Sequence, residues 1–375
     1  MDQRFQQFAE VLVRQAIKVR KYELIYVDSM SNTPIEMVLA VMDEISRAGG
    51  FAYPVRRDER LLRRMNLGSG LRQLRFMADH DIMMIRRCDG GIIFRDIGNI
   101  FHSTDVPSTK TQRWAKYYSG PVIKVRSPRR WILSRWPTPA MAQLMNMSTE
   151  QLEDLFFRAV LFDYRRMARA ARPLKELMER TDQVRIIGPG DTDLTFSIKG
   201  IPAKLCVGEL NIPDGEVFTA PVRDSMNGVI HYNTKSVSRE GCLFEGVRFE
   251  VVSGRIMKAT CDSGDQKKLD AILNTDPGAR YFGEFAFGFH PMIDTAVGET
   301  LFDEKVRGSF HLTPGKCYKT ASNGNSSNIH WDLVCIQRPE YGGGTISFDG
   351  KVIRKDGLFV PRALQGLNPD RLLAE

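Results

Sequence analysis

Close to residue 180 the chain changes texture, and this change constrains the fold more than any other feature. Before it, segments with helical apolar spacing alternate with short apolar runs. After it, the apolar segments are short, β-rich and bounded by Gly, Asp and Asn. Two such patterns belong to two different layer architectures. At 375 residues the chain has the length of two ordinary domains. The expected fold class is therefore α/β in two parts. Residues 1–180 should form an N-terminal α/β domain with a mostly parallel sheet. Residues 181–375 should form a mixed, β-rich C-terminal domain.

Within the first part, Phe5, Phe8, Val11, Leu12 and Ala16 repeat at helical spacing across 4–19. ELIYV at 23–27 reads as a buried strand. Met37, Val38, Val41, Met42 and Ile45 mark a helix over 34–47, with Pro34 at its start and Gly49-Gly50 after its end. FAYPV then reads as a strand, 71–78 as helix and DIMMI at 81–85 as the next strand. GIIF at 91–94 and PVIKV at 121–125 are two more candidate strands. Residues 149–180 are strongly helical, with a cap region at Ser148-Thr149-Glu150. Beyond 180, QVRIIGPG, TDLTFSI, AKLCVGE, VRFEVVSG and TISFDGKVI read as strands, with a helix at about 264–275.

Several function classes are excluded early. Hydrophobic residues at 42% and charged residues at 26% are globular values. No stretch of 18 apolar residues escapes a charge or turn residue, so no spanning helix and no membrane partner are expected. The polar start MDQRFQQFAE lacks the pattern of a secretory leader. Cys88, Cys206, Cys242, Cys261, Cys317 and Cys335 form no CxxC pair, which fits reduced thiols in a cytoplasmic protein. ELIYVDSMSNTPIE has no GxGxxG, and Gly68-Ser69-Gly70 is followed by no GK[ST], so neither nucleotide loop is present. Gly188-Pro189-Gly190 and Gly342-Gly343-Gly344 read as turns.

Charge is unevenly placed. Residues 1–180 carry 31 Lys+Arg against 20 Asp+Glu, a net +11; residues 181–375 carry 22 against 25, a net −3. Arg56, Arg57, Arg60, Arg63 and Arg64, then Arg126, Arg129 and Arg130, form the basic runs. They lie in no nucleic-acid motif and have no regular aromatic interleaving. Solvated helix faces and domain or subunit contacts account for them, and no nucleic-acid partner is expected.

The polar residues that stand out are in the second part. They are Glu216 within NIPDGEVFTAP, Glu284 within GEFAFG, Asp303 and Glu304 within LFDEK, His311 within GSFHL, Tyr318, and His330 and Asp332 within IHWDL. In a strand, residues two apart share a face, so His330 and Asp332 address one point. Acids and imidazoles in apolar flanks are costly unless paired or metal-bound. Each of them taken alone reads as a hydrogen-bonded or solvated residue. The set as a whole points to a cation, and oxygen plus imidazole donors suit Zn²⁺, Co²⁺, Mn²⁺ or Fe²⁺. His80, His102, His231 and His290 lack such flanks. His290 precedes Pro291 near Glu284 and reads as a supporting or turn residue.

These segments resemble the aminopeptidase T/S/PepS family of metallo-aminopeptidases, in a divergent branch. The carrying residues are N-x-P-x-G-E-V-F-T-A-P (211–221), G-E-x-A-x-G (283–288), L-F-D-E-K (301–305), H-L-x-x-G-x-x-Y (311–318) and I-H-x-D (329–332), with RRWILSRWPTPAMA (129–142) in the first part. The resemblance implies a C-terminal catalytic domain holding two divalent metal ions, Zn, Co or Mn. Its ligands would be Glu216, Glu284, Glu304, His311, His330 and Asp332, with Tyr318 as the active-site tyrosine. It implies peptide substrates, a homodimer, and hydrolytic removal of N-terminal residues by a water activated between two metals. Glu216 or Glu284 would accept the proton, and Tyr318 would donate to the developing oxyanion. The short His311–His330 interval, the segment LVCIQRPEYGGG and the Asp-Gly-Glu of the first motif depart from the family pattern.

A second reading is a mononuclear Fe(II) ring-cleaving dioxygenase of the same fold family, with His311, His330 and Asp332 as its triad. Glu216 and Glu284 argue against it, because a one-metal site does not need them.

Overall fold

The computed structural model describes residues 2–99, 101–238 and 241–374. The chain forms two compact units. The first contains residues 1–162 and 208–213; the second contains 163–207 and 214–375. The helix Tyr164–Arg180, grouped with the first half on sequence, packs by contact within the second unit.

The first unit is built on a five-stranded parallel sheet. Leu24–Met30, Phe51–Arg57, Gly90–Arg95, Trp131–Arg135 and Asn211–Ile212 pair in the order second, first, third, fourth, fifth. The helix Ile35–Arg47 follows the first strand as its spacing predicts, with Pro34 at the cap and Gly49 in a left-handed turn after its end (φ +81°). The helix expected over 4–19 is Gln3–Glu10, continued by a wider turn over Val11–Ala16. Ser148 caps Thr149–Val160 with a reciprocal bond to Gln151.

Two expected strands are helical. DIMMI lies inside the long helix Leu71–Arg87, which buries Leu74, Ala78, Asp81 and Ile85. PVIKV lies in the helix Gly120–Arg126, with Pro121 in its first turn. The strand Trp131–Arg135 was not anticipated as a strand.

Several arginines of the basic runs are held by internal partners. Arg57 bonds Asp28 at 3.0 Å and Asp81 at 2.9 Å, and Arg95 reaches Asp28 at 2.8 Å. Arg56 donates to the carbonyl oxygens of Ser31 and Thr33, Arg63 to that of His102, and Arg130 pairs with Glu23.

The second unit is antiparallel. Its larger sheet has eight strands, in the order Arg255–Thr260, Arg248–Val252, Asn227–His231, Asp193–Ser197, Gln183–Ile187, Thr345–Phe348, Lys351–Lys355, Leu358–Phe359. A five-stranded sheet runs Leu333–Ile336, Ser309–Pro314, Phe282–Gly288, Glu216–Thr219, Lys204–Cys206. The helix Gln266–Leu273 starts at the Asp265 cap.

Alternation along the five-stranded sheet sorts its residues onto two faces. Phe285, Phe287, Leu312 and Leu333 are buried on one face. There Phe285 meets Phe196 at 5.0 Å between ring centres, and Phe287 meets Phe348 at 5.9 Å. Packing against the larger sheet removes this apolar face from water, at roughly 25 cal/mol per Å². The opposite face is left to carry polar groups. All six cysteines are free thiols. Among the described residues no helix is long and apolar enough to cross a membrane.

Candidate metal centre

Cross-strand register places the polar residues side by side. Cys206 lies opposite Glu216, Glu216 opposite Gly288, and Ala286 opposite both Phe218 and His311. Directly opposed residues point to the same side. Glu284, two residues before Ala286, therefore shares the face of His311 and Glu216. Two glycines let the backbone make these approaches. Gly215, at φ +146°, sits so close to His290 that an added Cβ would lie 3.0 Å from that side chain. Gly283 has the Lys316 carbonyl at 2.4 Å from such a Cβ, so no larger residue fits before Glu284.

Five of the six proposed ligands converge. His311 Nε2 lies 3.5 Å from Glu216 Oε2 and 3.4 Å from Glu284 Oε1. His330 Nε2 lies 3.3 Å from Glu284 Oε2 and 3.3 Å from Asp332 Oδ1. Thr313 Oγ1 donates to Asp332 at 2.6 Å and fixes that carboxylate. Two donor groups result, Glu216–Glu284–His311 and Glu284–His330–Asp332, each with its ligand atoms within 4.8 Å of one another. They share Glu284, one oxygen to each. Glu304 stands beside them, near enough to Asp332 for the two carboxyl groups to repel, and pairs with Lys305 at 2.7 Å.

Electrostatics follow from crowding. Burial alone would raise the carboxyl of Glu284, but the hydrogen bonds of His311 and His330 hold it below the usual range. Asp332 is likewise held low, with His330 outweighing burial. Burial holds Glu304 well above the ordinary range, and the charges of Asp332 and Glu216 add to this against the opposing Lys305. Burial would lower both imidazoles; Asp332 and Glu284 raise His330, while Glu284 and Glu216 raise His311. The residues fit a bound cation on two counts. Glu216 Oε2 is buried without a hydrogen-bond partner. Five carboxylates, those of Asp214, Glu216, Glu284, Glu304 and Asp332, share one ammonium, that of Lys305. Uncompensated buried carboxylates are costly, and divalent ions supply the missing charge.

Tyr318 is placed at the edge of this group. Its ring meets the His330 imidazole edge-on at 4.8 Å and Phe218 at 5.4 Å. It keeps 47% of its surface exposed. Burial among protein atoms, then the charges of Glu284 and Asp332, hold its phenol well above the ordinary range. A side chain lining an open concavity has both properties, surrounded by protein yet reached by solvent. Thr313 and Pro314 end the strand Ser309–Pro314, and Gly315 follows at φ +106°.

Other expectations resolve individually. Asp303 belongs to neither donor group and accepts from the backbone N–H of Val297 and Gly298, with burial pushing its carboxyl up to about 8. His290 is fully buried behind Gly215, and its N–H donates to the Lys305 carbonyl oxygen. Sequence reasoning missed Lys305, whose side chain is wholly buried between Glu216 and Glu304. It also missed Thr313 and the pair Cys206 and Asp214, which form a third donor group with Glu216. Only the placement of Lys305 within LFDEK hinted at its role.

Comparison with known proteins gives a consistent picture. A family model described as thermophilic metalloprotease (M29) matches residues 1–359. Aminopeptidase 2 of Geobacillus stearothermophilus is 32% identical over 165 residues, 39% of this chain and 37% of that protein. Aminopeptidase PepS of Streptococcus thermophilus is 31% identical over 40% of this chain and 38% of its own. Aminopeptidase T of Thermus aquaticus is 29% identical over 48% and 47%. The chain thus aligns with less than half the length of each of these relatives. Among solved structures, wild-type AmpT from Thermus thermophilus superposes with a TM-score of 0.81 at 19% identity, over 96% of this chain and 99% of that one. The 2,5-dihydroxypyridine dioxygenase of Pseudomonas putida KT2440 reaches 0.64 at 14% identity, over 96% and 98%. At these identities both likenesses speak for the fold alone.

Proposed function

The chain belongs to the thermophilic metalloprotease family (M29), and on that premise we propose that it is a metal-dependent aminopeptidase with two divalent ions in its centre. The observation that carries the two-ion reading is the division of Glu284. One oxygen faces His311 and the other His330, so one carboxylate serves two donor groups. Zn²⁺, Co²⁺ or Mn²⁺ held there would polarise the scissile carbonyl, activate water and take the substrate's free α-amine.

The protein's own residues have separate tasks. Glu216, Glu284, His311, His330 and Asp332 would hold the ions, and Glu304 would close the set from beside Asp332. Thr313 orients Asp332. The Lys316 carbonyl oxygen, 2.7 Å from His330 Nδ1, accepts that ring's hydrogen and leaves Nε2 as the donor. Glu216 and Glu284 are the carboxylates suited to take up the water's proton. Tyr318 reaches the centre from its exposed rim, and its hydroxyl would donate to the oxyanion. Peptide substrates, a homodimer and a cytoplasmic setting belong to the same reading.

The dioxygenase reading is disfavoured by the arrangement of the imidazoles. Neither of the two groups joins His311 and His330, as a His-His-Asp triad requires. The test is N-terminal cleavage of free peptides that stops on chelation and resumes on adding Zn²⁺, Co²⁺ or Mn²⁺. Full activity in metal-free protein would sink the reading.

A further inference from the structure

Lys305 has no exposed surface, and its ammonium lies 2.7 Å from Glu216, 2.7 Å from Glu304 and 3.8 Å from Asp214. Beside it, Cys206, Asp214 and Glu216 each offer a ligand atom within 4.8 Å of the others. A trio of one thiol and two carboxylates is a mixed donor set that a borderline ion such as Zn²⁺ or Co²⁺ could take. Lys305 touches two of its three members. Its contact on Glu216 is Oε1, while Oε2 of the same carboxylate faces His311.

Charge counting gives this placement a reason. Asp214, Glu216, Glu284, Glu304 and Asp332 carry five negative charges when ionised. Two divalent ions supply four positive charges and the ammonium supplies the fifth. A third divalent ion in addition would overshoot.

We propose that the Lys305 ammonium is the resident cation of the Cys206–Asp214–Glu216 position. It closes that position to a third metal ion and keeps the thiol out of coordination. It also holds one oxygen of Glu216 so that the other is presented towards His311. Metal choice is then set by oxygen and imidazole donors alone, although a cysteine stands within reach. The proposal rests on the two-ion reading above.

The experiment is a Co²⁺ titration of the full-length, chelator-stripped protein, read by elemental analysis and by the near-ultraviolet thiolate-to-Co²⁺ charge-transfer absorption. Wild type should bind two Co²⁺ per chain without that absorption. Lys305→Ala should bind one more ion per chain and gain the absorption, and a Cys206→Ser change in that background should abolish it. Lys305→Arg should behave as wild type. Should Lys305→Ala fail to fold, Lys305→Gln decides, since it removes the charge and keeps a polar chain. Thiolate absorption or a third ion in wild type overturns the proposal. So does a folded Lys305→Ala or Lys305→Gln protein with two ions and no absorption. Fewer than two ions in wild type defeats the two-ion reading itself, and the proposal with it.

Discussion

The imidazole of His330 stands between two carboxylates, its Nε2 3.3 Å from Glu284 and 3.3 Å from Asp332. Its Nδ1 lies 2.7 Å from the Lys316 carbonyl oxygen, which only accepts, so Nδ1 carries the hydrogen. In the neutral ring that an ion would bind, the lone pair of Nε2 is thereby aimed at the point both acids share. Removing this ring takes the one nitrogen from the Glu284–His330–Asp332 group. His330→Ala should therefore bind about one ion fewer per chain while keeping its far-ultraviolet circular dichroism. Unchanged metal content in the folded variant would remove His330 from the ligand set.

Tyr318 makes a different prediction, because it touches the centre through a ring and not through a ligand atom. Tyr318→Phe keeps the contacts with His330 and Phe218 and loses only the hydroxyl. Metal content and KM should stay near wild type. kcat should fall on the order of 10²–10³, roughly 2.7–4 kcal/mol, as for other lost oxyanion donors. Steady-state kinetics beside elemental analysis separates this outcome from that of His330→Ala. A wild-type kcat in the metal-loaded variant would return Tyr318 to a packing role.

Substrate capping tests the role of the α-amine. An acetylated N-terminus has no free lone pair to give an ion, so capped peptides should be resistant while their free counterparts are cleaved. Mass spectrometry of a matched peptide pair reads this directly. Equal rates on both would indicate an endopeptidase.

The first unit carries a stability prediction of its own. Asp28 is nearly buried and is shared by Arg57 and Arg95. Burial alone would raise its carboxyl; Arg95 and then Arg57 hold it below the ordinary value instead. A depressed carboxyl stabilises the fold above its unfolded pKa, near 3.9. That stability is lost as pH falls through the lower, folded value. Asp28→Asn takes the paired carboxylate from Arg95 and leaves Arg57 with Asp81 alone, and should cost about 3–5 kcal/mol at neutral pH. The deficit relative to wild type should shrink in acid below the ordinary carboxylate range. Urea unfolding across that range measures it, and a deficit that does not change with pH would contradict the assignment.

The legible parts of the fold were those where period and punctuation agreed. Ile35–Arg47 was bracketed by Pro34 and Gly49-Gly50, and the strands after residue 180 by Gly, Asp and Asn. DIMMI failed because five residues cannot separate a period of 2 from one of 3.6. The buried set Leu74, Ala78, Asp81 and Ile85 runs through it at helical spacing, with no Gly or Pro between 71 and 87. PVIKV failed for the same shortness, although Pro121 near a helix start was a usable sign. The six proposed ligands were singled out because acids and imidazoles in apolar flanks are conspicuous. Lys305 was overlooked because a lysine next to a glutamate reads as surface. Its burial is decided by Glu216, 89 positions earlier in the chain and joined to it only by the fold.

The central claim is a two-ion aminopeptidase centre, and metal content measured against activity tests it most directly. Protein stripped by chelation should be inactive on a free peptide. Titration with Zn²⁺, Co²⁺ or Mn²⁺ should restore cleavage, reaching its plateau at two ions per chain by elemental analysis. A plateau at one iron per chain, or full cleavage with no metal bound, would contradict the account.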